Sequence, residues 1–236
     1  MRIIWITLLM YVVMLSFYAV AMAGCEPVTV KGPVPGDKIG SGYSHTLPSL
    51  QDHQVVLTFD DGPNPTTTPK VLKILHDRCL SAVFFLIGQN ASRYPQIVRS
   101  IVNDGHSVGS HSWSHPQPFE RLSDAVADTQ IENGLYAVNE ATSSAKPWFR
   151  YPGFGHNHFT EGMTTHLGLT VWSADIDPRD WAEPGTDVII ERILHQLSSS
   201  HKGIIVLHDI HATTVRALPS IIKALQDNNY QIVGVK

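Results

Sequence analysis

From residue 55 to residue 236 the chain repeats one pattern, a short run of β-branched and aromatic residues followed by a longer stretch with helical apolar spacing. The short runs fall at 55–59, 82–87, 107–110, 148–151, 170–174, 204–207 and 231–235. Amphipathic stretches separate them, for example at 68–77, 95–104, 124–141, 187–198 and 215–227, where apolar positions recur at intervals of three and four. Repeated strand-helix units imply a mainly parallel sheet, so the expected class is α/β, either closed as a barrel or open and doubly wound.

In such folds the C-terminal ends of the strands share one face, and sites are built there. Asp60 and Asp61 follow the first run and His111 and His115 the third; Arg150 lies near the end of the fourth. Asp177 and Asp180 follow the fifth, and His208 and Asp209 the sixth. Segments far apart in sequence are therefore expected to converge on one pocket.

The residue types suggest what that pocket does. In "LTFDDGP" two like charges stand side by side; alone, this reads as a solvated turn, and beside other ligands it reads as a metal site. "GSHSWSHP" sets His111 and His115 four residues apart, a spacing expected to face two imidazoles one way on a single helical turn. Two histidines and one carboxylate make a familiar zinc arrangement with a position left for water. One aspartate would complete the set and the other would take a proton from that water, provided a bend at Gly62 and Pro63 turns both inward. No HExxH is present, so the zinc-peptidase helix is not supported.

"FRYPGFG" offers Arg150 to orient the base carboxylate, and backbone N–H groups around Gly153 for an oxyanion. From "WSADIDPRDW" and "IIVLHD" come His208 to protonate a leaving amine, Asp180 to fix its tautomer, and Trp181 and Leu207 to wall an apolar notch. Asp177 reads equally as a cap or turn acid, and Asp209 as a solvated strand end. His106, His156, His158 and His211 are expected at structural or surface positions.

Thirteen histidines against 17 lysines plus arginines favour metal or proton chemistry. A net charge of -4 gives no electrostatic footprint for nucleic acid, which excludes a polyanion as the main partner. Residues 1–23 hold one basic residue, Arg2, and then only uncharged, mainly apolar residues. Their length suits a retained membrane anchor, Ala21-Met22-Ala23 suits cleavage as a signal peptide, and Met22-Ala23-Gly24-Cys25 resembles a lipoprotein signal. Each alternative exports the rest of the chain, leaving the protein membrane-anchored toward the periplasm or exterior, or secreted. Residues 24–54, rich in Pro, Gly and Ser, are expected to be a linker, and 55–236 the catalytic domain. Cys25 and Cys79 are the sole cysteines, and the fold is not expected to depend on a bridge between them.

Taken in order, "TFDDG", "HSWSH", "RYPGFG", "DPRDW" and "LHD" resemble the polysaccharide deacetylase family, the NodB-homology domains of carbohydrate esterase family 4. The resemblance implies a distorted (β/α)7–8 barrel with mainly parallel strands. It implies removal of N- or O-acetyl groups from sugars with a divalent metal, commonly zinc. Carried over by motif, Asp60 is the base, Asp61, His111 and His115 bind the metal, and Arg150 orients Asp60. Asp180 tunes His208, the acid; Gly153 supplies an N–H; Trp181 and Leu207 line the acetyl pocket. The third motif usually has an aromatic residue directly after its proline, where this chain has Gly153. The expected partner is an acetylated glycan of the N-acetylglucosamine type, as in peptidoglycan or chitin. An O-acetyl esterase for xylan-like polymers, a silent glycan-binding module and a metal phosphoesterase are the alternatives.

Overall fold

A computed structural model describes residues 26–43 and 46–236. Seven parallel strands form the sheet wall in the order β2 (Lys38–Ile39), β7 (Thr170–Trp172), β6 (Trp148–Phe149), β5 (Ser107–Ser110), β4 (Val83–Leu86), β3 (Gln54–Asp60) and β8 (Gly203–His208). Beyond β7 the chain crosses toward β8, where Ile176 bridges Ile205 and Val206 N–H donates to the Ile176 carbonyl at 3.0 Å. The sheet thereby curls into the distorted barrel implied by the motifs. Helices α1 (Thr68–His76), α2 (Gly88–Arg93), α3 (Pro95–Asn103), α4 (Asp124–Ala141), α5 (His158–His166), α6 (Thr186–Ser200) and α7 (Ala212–Asp227) connect the strands.

Strand alternation divides the apolar residues into two cores. Val55, Leu57 and Phe59 of β3 face outward and pack with Leu72, Ile193, Leu218 and Ile222 of the helices. Val56, with Val83, Phe85, Trp148, Trp172 and Ile204, faces inward. The opposite parity of β3 then carries Thr58 and Asp60 into the interior, and both are buried.

Two elements escaped the periodic reading. Helix α2 follows β4 directly, and α5 contains Gly162 and few apolar residues. A capping box holds α5 instead: Asn157 Oδ1 accepts from Thr160 N at 3.0 Å, and Thr160 Oγ1 accepts from Asn157 N at 2.9 Å. The final expected strand is two, β9 (Gln231–Ile232) on β3 and β10 (Gly234–Val235) on β1 (Thr29–Val30).

The stretch expected to be a linker is largely part of the fold. Its strand β1 pairs with β10 and β2 with β7, while Ile39, Leu47 and Leu50 enter the inner core fully buried. Short runs broken by Pro and Gly have no period to detect, yet three of their apolar side chains join the inner core. Among the described residues no helix is long and apolar enough to cross a membrane; residues 1–23 and Cys25 lie outside them.

Candidate active site and metal centre

The end of β3 answers how two adjacent carboxylates reach one cavity. Asp60 is the last strand residue, and Asp61 then adopts φ +74°, turning the chain so that its side chain also faces the cavity. Gly62 follows with no room for a side chain: a Cβ there would lie 2.6 Å from both carboxylate oxygens of Asp209. Asn90 Nδ2 donates to the Asp61 carbonyl at 2.9 Å, and Ile87 N–H to that of Gly62 at 3.0 Å, so the turn is fastened to the start of α2.

His111 and His115 do not share a helical turn. They lie in a loop after β5 in which Ser112 and His115 have φ +65° and +56°, and the Ser112 hydroxyl accepts from His115 N–H at 3.1 Å. The loop nevertheless brings the rings together, with centroids 4.8 Å apart. His111 Nδ1 donates to the Arg150 carbonyl at 2.7 Å, which leaves Nε2 as the bare lone pair. Burial pulls the His111 pKa down against the opposing charges of Asp60 and Asp61, so the ring favours its neutral, ligating form. Its Nε2 is 3.6 Å from Asp61 Oδ1, and His115 Nε2 is 3.3 Å from the same oxygen.

That oxygen is buried and has no hydrogen-bond partner among the described residues. One ligand atom each from Asp61, His111 and His115 lies within 4.8 Å of the others, an N,N,O set that fits a single divalent cation. An isolated buried carboxylate oxygen is costly, and a cation at this point would satisfy it.

Asp60 is held differently. Arg150 Nη1 donates to Asp60 Oδ1 at 2.7 Å and to Thr58 Oγ1 at 2.7 Å, while Nη2 donates to the Ser173 carbonyl at 2.9 Å. The guanidinium is wholly buried, 4.2 Å from the centroid of Phe85. One Asp60 oxygen is thus fixed, and the other, Oδ2, stands 3.8 Å from His111 Nε2.

On the far side, His208 pairs with Asp60 in the β3–β8 register. Its Nδ1 donates to Asp180 Oδ1 at 2.8 Å, and its backbone N–H to Asp180 Oδ2 at 2.8 Å. Thr214 Oγ1 donates to the same Asp180 oxygen at 2.6 Å. Burial alone would lower the His208 pKa, but the bond and charge of Asp180 outweigh it, with Asp60 and Asp61 adding to the rise, and the imidazole is pushed up to about 9.

A cavity of about 380 Å³ joins these groups and is also lined by Gly153, Trp181, Gln117 and Val206. Leu207 is not among its walls. His208 points inward, so on a strand Val206 does too and Leu207 faces the outer core, where it is fully buried. That alternation was available in "IIVLHD" once His208 had been placed inside. Gln117 carried no comparable signal; its side chain lies against Gly153, 2.9 Å from where a Cβ would stand. Asp209 is no solvated strand end: it is fully buried, accepts from the Thr68 hydroxyl, and burial pushes its carboxyl up to about 7. Asp177 accepts from Arg179 N–H at 2.8 Å, as a turn acid does, and lines the cavity as well.

A sequence model described as polysaccharide deacetylase matches residues 48–172. The chain belongs to that family. It is accordingly a hydrolase, with the curled parallel barrel of that family. The peptidoglycan-N-acetylmuramic acid deacetylase PdaC of Bacillus subtilis is 35% identical over 181 residues, covering 77% of this chain and 38% of that protein. A chitooligosaccharide deacetylase of Bradyrhizobium is 34% identical over 195 residues, covering 75% of this chain and 87% of its own. Among solved structures, a family 4 carbohydrate esterase from Streptomyces lividans in complex with acetate superposes with a TM-score of 0.69 at 32% identity, covering 76% of this family member and 91% of that chain.

Proposed function

We propose that the protein is a divalent-metal-dependent N-deacetylase that releases acetate from N-acetylglucosamine-containing glycan, with zinc as its metal. The observation that carries this reading is the split between the two aspartates. Asp61 Oδ1 faces two imidazole nitrogens, while Asp60 is held by Arg150 and leaves an oxygen toward the same cavity. The names of the relatives support the substrate class, since they act on acetylated amino sugars in peptidoglycan or chitooligosaccharides.

Asp61, His111 and His115 would hold the cation, which supplies Lewis acidity and lowers the pKa of water there. Asp60 Oδ2 takes the proton of the attacking water, and Arg150 keeps that carboxylate ionised and aimed. As water adds to the acetyl carbonyl, negative charge builds on its oxygen and the Gly153 N–H receives part of it. His208, its Nδ1 committed to Asp180, gives the proton on Nε2 to the departing nitrogen as the C–N bond breaks. Acetate and a free amino sugar result. Trp181 and Val206 flank the place of the acetyl methyl. The proposal includes export of the protein, in line with the apolar residues 3–23.

Purified protein should release acetate from N-acetylglucosamine oligomers, lose activity to a chelator and regain it with zinc. Asp60→Asn should retain bound zinc and lower kcat by about 10²–10⁴-fold, whereas Asp61→Asn should lose the metal. No acetate from chitin-type, peptidoglycan-type or β-1,6-linked glycans would sink the reading. Turnover confined to acetylated xylan would make the protein an O-acetyl esterase.

A further inference from the structure

At the end of the barrel opposite the cavity, Cys79 stands where turn chemistry favours glycine or asparagine. It follows α1 with φ +55°, its N–H donating to the His76 carbonyl at 3.0 Å, and the next N–H, of Leu80, donates to the Leu75 carbonyl at 3.0 Å. A side chain is kept in that left-handed position, and its sulfur is engaged. Cys79 is disulfide-bonded, and among the described residues no cysteine is a free thiol. The chain has one other cysteine, Cys25, which lies outside the described residues and directly precedes Glu26.

The described residues bring that part of the chain to Cys79. Strand β1 lies parallel to β10 with Thr29 opposite Gly234, and Gly234 N–H donates to the Val28 carbonyl at 2.8 Å. Gly234 is pinched between two segments: a Cβ there would stand 2.6 Å from Ser81 Cβ and 3.2 Å from Thr29 Cγ2. Glu26 and Val28 line one depression of about 430 Å³ together with Cys79 and Leu80. Consecutive Cα atoms are about 3.8 Å apart, and a disulfide spans about 4.4–6.8 Å between Cα atoms. A residue adjoining Glu26 is therefore within reach of Cys79.

We infer that Cys25 and Cys79 of the same chain are joined, closing the N-terminal stretch covalently onto the turn before β4. The bond forms by exchange with an oxidant of the protein-disulfide class. One cysteine thiolate attacks the donor disulfide, and the other displaces the donor from the mixed disulfide; two electrons and the two thiol protons pass to the donor, which leaves as a dithiol. Such bonds persist outside the reducing cytoplasm, so the bridge goes with a domain that works in an oxidising compartment. It also decides among the alternative fates of the N-terminal segment. A lipoprotein carries its lipid on the sulfur of the signal cysteine, and a Cys25 sulfur bonded to Cys79 is closed to that modification. The bridge fastens the stretch that delivers Ile39, Leu47 and Leu50 to the inner core.

Full-length protein, exported with its own N-terminal segment and alkylated at lysis without reductant, tests the inference. Neither cysteine should take label until the denatured chain is reduced, and then both should. An unreduced tryptic digest of the monomer should contain the peptide ending at Lys31 joined to peptide 79–93. Replacing both cysteines, Cys25→Ser with Cys79→Ser, should lower the urea midpoint by about 1 M or more; if that variant does not accumulate, a phosphine reductant on the parent protein should produce the same shift. Two labels before reduction would overturn the bridge, as would a lipid on Cys25 with a single label on Cys79. A reducible dimer would overturn the bond within one chain, and an unmoved midpoint would overturn the fastening role.

Discussion

His208 and Asp180 illustrate how burial and a partner compete over one proton. Asp180 accepts three donors in a fully buried position, and those bonds favour its ionised form. The raised His208 pKa means that the charged imidazole and its pairing are fully present below the unfolded value near 6.5. They are lost as pH rises through about 9. The metal-free protein should therefore show His208 titrating near 9 by NMR. Asp180→Asn removes the bond and the charge that hold it there, so the titration should move down by more than one unit and the alkaline limb of kcat/KM with it. An unmoved titration would remove Asp180 from that role.

At the scale of the element, the turn after β3 depends on what packs behind it. Gly62 has no side chain because Asp209, from the end of β8, occupies that space. Gly62→Ala should force the two segments apart, costing about 1–3 kcal/mol of stability and weakening metal binding through Asp61, measured by chemical denaturation and metal titration. A variant of parental stability and metal affinity would show the contact to be dispensable. The strands that carry the reactive residues were legible in the sequence, because β-branched runs alternate with amphipathic ones and the polar residues end them. The histidine pair was legible by type and spacing but not by conformation, since left-handed Ser112 and His115 leave no periodic trace. Leu207 and Val206 were confused because parity along β8 is fixed by where its neighbours point, which a motif alone does not state. Thr214 and Gln117 act through contacts made only after folding, so residue type gave no sign of them.

Considered whole, the barrel takes part of its inner core from its own N-terminal stretch. Leu47 is fully buried in the inner core with Phe85, Trp148 and Trp172. Leu47→Ala should lower stability by about 2–5 kcal/mol, read from the urea midpoint; a loss under about 0.5 kcal/mol would show that 26–50 merely rests on the barrel. Sequence period missed this because a plug needs apolar residues without regular spacing. Strand β1 meets β10 at the last residues of the chain, and Gly32 N–H donates to the Lys236 carbonyl at 2.8 Å. Glu26 and Val28 lie there beside Cys79 and Leu80, which lead into β4. The chain then rises with β2 along β7 to Tyr43 at the opposite end, among the strand termini that carry Asp60, Asp61 and His208. Residue 26 therefore lies at the end of the barrel opposite the cavity. An approach to the cavity from the open end of the barrel therefore never has to pass the seam where the two termini of the described fold are stitched together.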